Sequence, residues 1–255
     1  MTHPAAIVTT GPASAPIDEV RRITNFATGE IGAALTKALI ERGWEVFLCR
    51  GTGATHREVP GGAHLHEFTT NQDLTHTLGE LSETRGADIA AVFVAAALSD
   101  YTVLSVKGPQ GAMATKRKFP GHLSQIQLML EPAAKVLPLM RGWFPRARTT
   151  GWKFELEGTR AEAIAAGRAQ IARGETDSTV VNGTAYGPGF GVLAGAEAPL
   201  HFATKRELAD FLASRANSAA KSFVQFAPSS SMLSVKVART SEFISRPSLS
   251  RMVPL

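Results

Sequence analysis

One cysteine and two tyrosines in 255 residues narrow the chemistry before any motif is read. With Cys49 alone, no internal disulfide framework can form, and the chain suits a reducing compartment. Cys49 sits in the strand-like run WEVFLCR, where a small buried hydrophobe is the plain reading of a lone thiol. Tyr101 and Tyr186 both lack a lysine four residues on, which removes the Tyr–Lys pair of short-chain reductases. No apolar run approaches the length of a membrane span. The opening MTHPAAIVTTG lacks a charged stretch leading into a signal-peptide core, so a cytoplasmic protein is expected. A basic folded domain is missing too. Residues 218–255 hold five of the 27 Lys and Arg but one of the 22 Asp and Glu, leaving 22 bases against 21 acids before them. The net charge of +5 is mostly the tail's, and the expectation is a protein that binds neither nucleic acid nor membrane.

What is present is an ordinary globular share of apolar residues, 44%, arranged as strand and helix in alternation. AIVTT reads as a strand, and GAALTKALIER as a helix stopped by Gly43. WEVFLCR is a second strand, followed by the turn-rich GTGATHREVPGGA. Leu74, Leu78 and Leu81 fall on one face and predict a helix over Asn71 to Arg85. DIAAVFVAAAL is unbroken and short, as befits a central strand covered on both faces. QIQLML follows, then a helix predicted over Ala133 to Trp143 and a strand at TTGWKFEL. Thr159 with Glu162, and Thr204 with Glu207, make two capping boxes that each open a helix; DSTVVN between them is a strand. This alternation predicts a Rossmann-like α/β fold. Its mostly parallel, doubly wound sheet would carry helices on both faces, a flap after the central strand and ligands at the carboxyl ends of its strands. The domain is expected to span residues 1–217. The Ser-rich tail 218–255 shows no sustained period of 2 or 3.6 and is expected to be a mobile extension.

Polar residues gather where such strands end. TTGPASAPIDEVRRITNFATG forms a long return before the helix starting at Gly29; SDY, residues 99–101, closes the most apolar strand. GWKFE, residues 151–155, and the Gly-rich VNGTAYGPGFG after Asn182 stand on later strands, and TKRKFPG puts Lys116, Arg117 and Lys118 on the flap. Each has a plain structural reading: a helix start, a turn, a solvated surface, a strand end. Their joint placement at the expected strand ends favours a ligand site. The dinucleotide fingerprint G-x-G-x-x-G is replaced by GPAS, and Cys49 and Arg50 stand where a ribose-binding acid belongs. Arg50 would suit a 2′-phosphate, which keeps an NADP-dependent reductase open as an alternative.

The ordered set of motifs resembles a family. VTTGPASAPIDEVRRITNFATGEIG is similar to the N-terminal signature of phosphopantothenoylcysteine synthetases, T-x-G-G-T…P-[IL]-D-x-V-R-x-[IL]-[ST]-N-x-[ST]-[ST]-G-x-x-G. VAAALSDY resembles its A-V-[AS]-D-Y strand, and KFPGHLSQIQLMLEPAAKVLPLM its K-[IM]-x-S segment with the strand and helix beyond. TTGWKFELEG resembles the G-F-K-L-E stretch of the free-standing synthetases, and TVVNGTAYG stands where the family has A-N-D. The likeness runs from about Ile7 to Asn217. Three departures stand out: GPA for GGT, Ala27 for the first of two hydroxyl residues, and Gly183 for the Asp after Asn182.

The resemblance implies a ligase of coenzyme A biosynthesis, joining 4′-phosphopantothenate to cysteine. The substrate carboxylate attacks the α-phosphate of CTP or ATP, pyrophosphate leaves, and the cysteine amine displaces the nucleotide from the acyl-nucleotidyl intermediate. Mg²⁺ on the triphosphate and a homodimer are implied with it. By family position Asn25 lies over the reacting acyl phosphate, and Lys118 neutralises charge growing on the α-phosphate; Lys116 is its adjacent rival. Gly11, Thr28, Gly29 and Ala96 are expected around the phosphates, Asp100 at the nucleotide or its metal, and Lys153 and Asn182 at the nucleotide. None of the seven histidines falls in a matched motif, so no acid–base residue is expected. Ala27 and Gly183 motivate a further alternative, a relative that binds nucleotide without catalysis.

Overall fold

The computed structural model describes residues 3–113 and 118–225. In chain order the first half comprises β1 (Ala5–Thr10), β2 (Ser14–Pro16), β3 (Arg22–Thr24), α1 (Glu30–Ile40), β4 (Glu45–Gly51), β5 (Ala63–Phe68), α2 (Asn71–Arg85) and β6 (Ile89–Val94). The second half comprises β7 (Tyr101–Gly108), β8 (Gly111–Met113), β9 (Gln127–Pro132), α3 (Met140–Trp143), β10 (Arg148–Phe154), α4 (Arg160–Ala172), β11 (Ser178–Asn182), β12 (Phe190–Leu193), β13 (Leu200–Phe202) and α5 (Lys205–Gln225). The main sheet has the order β13-β12-β11-β10-β6-β1-β4-β5, parallel from β11 through β5 and antiparallel at β12 and β13.

Strand β1 shows why the sheet is buried on both faces. Ala5 and Ile7 point into one core with Leu74, Leu78, Leu81, Met140 and Phe144. Ala6 and Val8 point into the other, with Leu35 and Leu39 of α1 and Leu208 and Leu212 of α5. A strand's side chains alternate between faces, so an unbroken apolar run is what a two-sided core requires. The predicted fold class is therefore what the chain adopts. Cys49 is fully buried in the first of these cores, and burial pushes its thiol up to about 12, as an inert small hydrophobe.

Several local expectations change. Instead of one helix over 133–143 there is a 3-10 turn, Leu137–Leu139, running into the four-residue α3. Pro138 has no N–H to give a helix arriving from Ala133, and Pro145 ends the segment at once. Strand β5 is an edge strand with half of its side chains exposed, and no strand was expected there. The capping boxes at Thr159–Glu162 and Thr204–Glu207 both form, and a third, Thr70–Asp73, opens α2. Helix α5 continues to Gln225, so the boundary drawn at 217 falls inside it. The rest of the tail lies outside the described residues, as does Lys116. No helix among the described residues is long and apolar enough to cross a membrane.

Candidate active site

In a sheet of this order the chain departs in opposite directions from β1 and β6, and a crevice belongs at their carboxyl ends. The two strands stay tied there by a bridge between Pro12 and Ala97, by Ala97 N–H donating to the Gly11 carbonyl (2.9 Å), and by Ala96 N–H donating to Thr9 Oγ1 (3.3 Å). Between them the chain leaves β1, makes the β2–β3 hairpin, and returns as Asn25 to Gly29 before entering α1. Asn25 Nδ2 donates to the Leu98 carbonyl at 3.0 Å and, more weakly, to that of Ala97 at 3.4 Å. Its side chain is thereby held to the loop after β6. Donation to a bound group, the role expected of Asn25, would draw on the same N–H groups.

The start of α1 is open. Gly29 takes a left-handed conformation (φ 87°) at the N-cap, where it supplies no side-chain cap; α2 and α4 carry full capping boxes. The backbone turn there suits glycine; Thr28 Oγ1 accepts from Glu30 N–H at 3.3 Å, and the next first-turn N–H groups are left to a ligand or water. Thr10 Oγ1 holds the Gly29 carbonyl at 3.1 Å, and His56 N–H holds the Thr28 carbonyl at 2.9 Å, so the turn is fixed from two sides. Gly32, one turn on, allows α1 to lie against β1: a Cβ there would fall 2.3 Å from Thr10 Oγ1. Lys205, at the start of α5, reaches across to Glu30 at the start of α1. That hydrogen bond is the chief reason the Glu30 carboxyl sits below the usual carboxylate range.

Further along the same edge, Lys153 at the end of β10 pairs with Glu155 (3.1 Å). Asn182 ends β11 opposite Phe154, and its Oδ1 is buried with no hydrogen-bond partner among the described residues. After Asn182 the backbone turns at Gly183 (φ 111°), where a Cβ would lie 2.2 Å from the Glu155 carbonyl oxygen. Asp100 follows β6 and is tied to the segment after β9: its carbonyl accepts from Ala133 N–H (2.9 Å) and its carboxylate pairs with Lys135. Lys118 is exposed on the returning limb of the flap sheet, whose strand order is β8-β7-β9. Gly11, Asn25, Thr28, Gly29 and Ala96 are thus gathered at the β1–β6 crevice. Lys153 and Asn182 stand two and three strands from β1 along the edge, and Asp100 and Lys118 belong to the flap side.

Arg50, the residue that kept a reductase in view, is committed elsewhere. Its guanidinium bonds Glu67 at 2.9 Å and the Arg57 carbonyl at 2.9 Å. Sequence reasoning also passed over Asn71, whose amide spans Ser99 and Ala134 and braces the loop before Asp100. It gave no role to Asp18 or Arg21 either, although an Asp and an Arg three apart in a tight return signal a turn closed by its own side chains.

Residues 1–219 match the family model described as the DNA/pantothenate metabolism flavoprotein C-terminal domain. The chain belongs to this family. Within the family, it is 32% identical over 181 residues to the coenzyme A biosynthesis bifunctional protein CoaBC of Thermococcus kodakarensis, which covers 69% of this chain and 40% of that protein. The chain thus spans about two fifths of the length of that curated relative. Among solved structures, the DNA/pantothenate metabolism flavoprotein of Streptococcus pneumoniae superposes with a TM-score of 0.72 at 22% identity, covering 85% of this chain and 99% of that one. A Cab2 mutant in complex with phosphopantothenate-cysteine superposes with a TM-score of 0.66 at 13% identity, covering 87% and 89%. These likenesses agree on the fold. The family match and the CoaBC likeness bear out the resemblance to phosphopantothenoylcysteine synthetases read from the motifs.

Proposed function

We propose that this chain joins 4′-phosphopantothenate to cysteine through an acyl-nucleotidyl intermediate. The observation that carries the reading is the start of α1, where Gly29 supplies no side-chain cap, next to an Asn25 pinned over the end of β6. An open helix start offers directed N–H groups to phosphate oxygens. A neutral amide beside it can serve an acyl phosphate without adding charge. In the first step the substrate carboxylate displaces pyrophosphate from the α-phosphate; in the second the cysteine amine displaces the nucleoside monophosphate. Lys118 supplies the cation for charge growing in the first step, with Lys116 its neighbour. Gly11, Thr28 and Ala96 surround the phosphates with backbone and a hydroxyl.

Asn182 supports a nucleotide with an exocyclic amine. Its buried, unpartnered Oδ1 is an acceptor, which cytosine N4 and adenine N6 both satisfy. A carbonyl in that place, uracil O4 or guanine O6, would leave it unpaired. No group of three or more metal-ligating side chains occurs among the described residues. Mg²⁺ suits such a site when carried on the triphosphate, since it keeps its waters and needs one or two carboxylates; Asp100 is the carboxylate offered on the flap side. The exposed Leu104, Leu128 and Leu130 of the flap sheet suit burial against a second copy of the chain, as in a homodimer.

The test is pyrophosphate release with Mg²⁺, 4′-phosphopantothenate, cysteine and CTP, ATP, UTP or GTP. Release with CTP or ATP alone, falling about 10²- to 10³-fold in Lys118→Gln, is the expected result. Equal release by Lys118→Gln would remove the lysine from the mechanism.

A further inference from the structure

The flap carries Lys118 on an exposed limb, yet the next residue is anchored. Phe119 is buried (6% exposed), and its ring lies under the Arg21 guanidinium, 4.0 Å from centroid to Cζ. Arg21 Nη2 also donates to the Phe119 carbonyl at 3.2 Å. Arg21 is in turn held by Asp18, Nη1 to Oδ2 at 2.9 Å, and the Asp18 side chain is fully buried. Asp18 Oδ1 accepts from the N–H groups of Val20 (2.9 Å) and Arg21 (2.7 Å), and Oδ2 lies 3.5 Å from Phe119 N. Burial alone would push the Asp18 carboxyl up; the N–H groups of Val20, Arg21 and Phe119, together with the Arg21 charge, hold it below the usual range. A buried carboxylate is costly unless its hydrogen bonds are made, and here they join two segments 101 residues apart.

We infer that Asp18, Arg21 and Phe119 form a clasp that fixes the returning limb of the flap to the β2–β3 hairpin and so positions Lys118. The hairpin ends at Asn25 through β3, so one short element sets both Asn25 and Lys118. Asp18 and Phe119 are positioning residues; they act through the lysine. The inference rests on the proposed role of Lys118.

The test uses the full chain and the pyrophosphate assay. Phe119→Leu keeps apolar bulk and removes the ring; Phe119→Tyr keeps the ring; Asp18→Asn keeps the turn acceptor and removes the charge. A misplacement of about 1 Å in a catalytic group costs about 10²-fold in rate. Phe119→Leu and Asp18→Asn are therefore expected to lower kcat about 10- to 100-fold with the nucleotide KM within about twofold, while Phe119→Tyr restores the rate. In a Lys118→Gln background Phe119→Leu should lower the residual rate no further. Full activity in both Phe119→Leu and Asp18→Asn, with Lys118→Gln inactive, would overturn the clasp and leave the function reading standing. An equal loss from Phe119→Leu with or without Lys118 would overturn it too. Full activity of Lys118→Gln would instead overturn the assignment of the lysine on which the clasp depends.

Discussion

Gly183 replaces a carboxylate that the resembling family carries after its late Asn, and the local backbone leaves it no room to be anything else. With φ at 111° and the Glu155 carbonyl 2.2 Å from a would-be Cβ, the turn after β11 is built for glycine. Glu155 N–H donates to the Asn182 carbonyl and Ala185 N–H to the Glu155 carbonyl, so a shift here propagates into both strand ends. Gly183→Asp would therefore not restore a nucleotide contact. We expect a loss of about 1–3 kcal/mol, read as several degrees of Tm by thermal melting, and weaker nucleotide binding by titration. A Gly183→Asp variant that is as stable as the parent and binds more tightly would contradict this account of the turn. At this scale Cys49 was legible in the sequence, because a lone thiol in an apolar strand has one plain reading. Asn182 was legible as a position but not in its unpartnered oxygen, which depends on what the neighbouring loops leave unfilled.

At the scale of elements, legibility followed the strength of the local signal. Helices α2 and α4 were readable because an apolar stripe or a capping box marks them, and the box at Thr159 forms in full: Glu162 N–H reaches Thr159 Oγ1 while the Glu162 carboxylate takes the Thr159 N–H. The Thr159 N–H and the Thr159 hydroxyl, both donating to it, hold the Glu162 carboxyl below its ordinary range, the N–H being the larger contribution. Removing the cap by Thr159→Ala should cost about 1 kcal/mol, or about 2–4 °C of Tm in a domain of this size, with pyrophosphate release per folded molecule unchanged. A loss of activity without a loss of stability would place α4 in the site. Strand β5 was missed because AHLHEF is a sheet edge with a single fully buried side chain, so no apolar alternation announces it. The helix expected over 133–143 does not form as one element because Pro138 interrupts it. Strands β12 and β13 were missed because three- and four-residue edge strands carry too few letters to show a period.

The whole molecule is a two-faced, mostly parallel sheet, which followed from strand–helix alternation; the strand order that sets the β1–β6 crevice within it did not. What alternation does not carry is the closure of loops on one another. The Asp18–Phe119 clasp, the Asn25–Leu98 bond and the Lys205–Glu30 pair join residues 101, 73 and 175 apart, and no local pattern encodes such meetings. They are also what turns a set of motifs into a site: each ties a loop at the carboxyl edge to another, so that phosphate, carboxylate and amine can be brought together. The measurement that tests this most directly is mass spectrometry of the full reaction, with Mg²⁺, 4′-phosphopantothenate, cysteine and CTP or ATP supplied to the folded chain. The account predicts 4′-phosphopantothenoylcysteine and nucleoside monophosphate in equal amounts, with neither formed when phosphopantothenate is left out. Nucleotide binding by a well-folded sample with no ligated product would contradict it, and would make the chain a relative in which the fold has outlived the reaction.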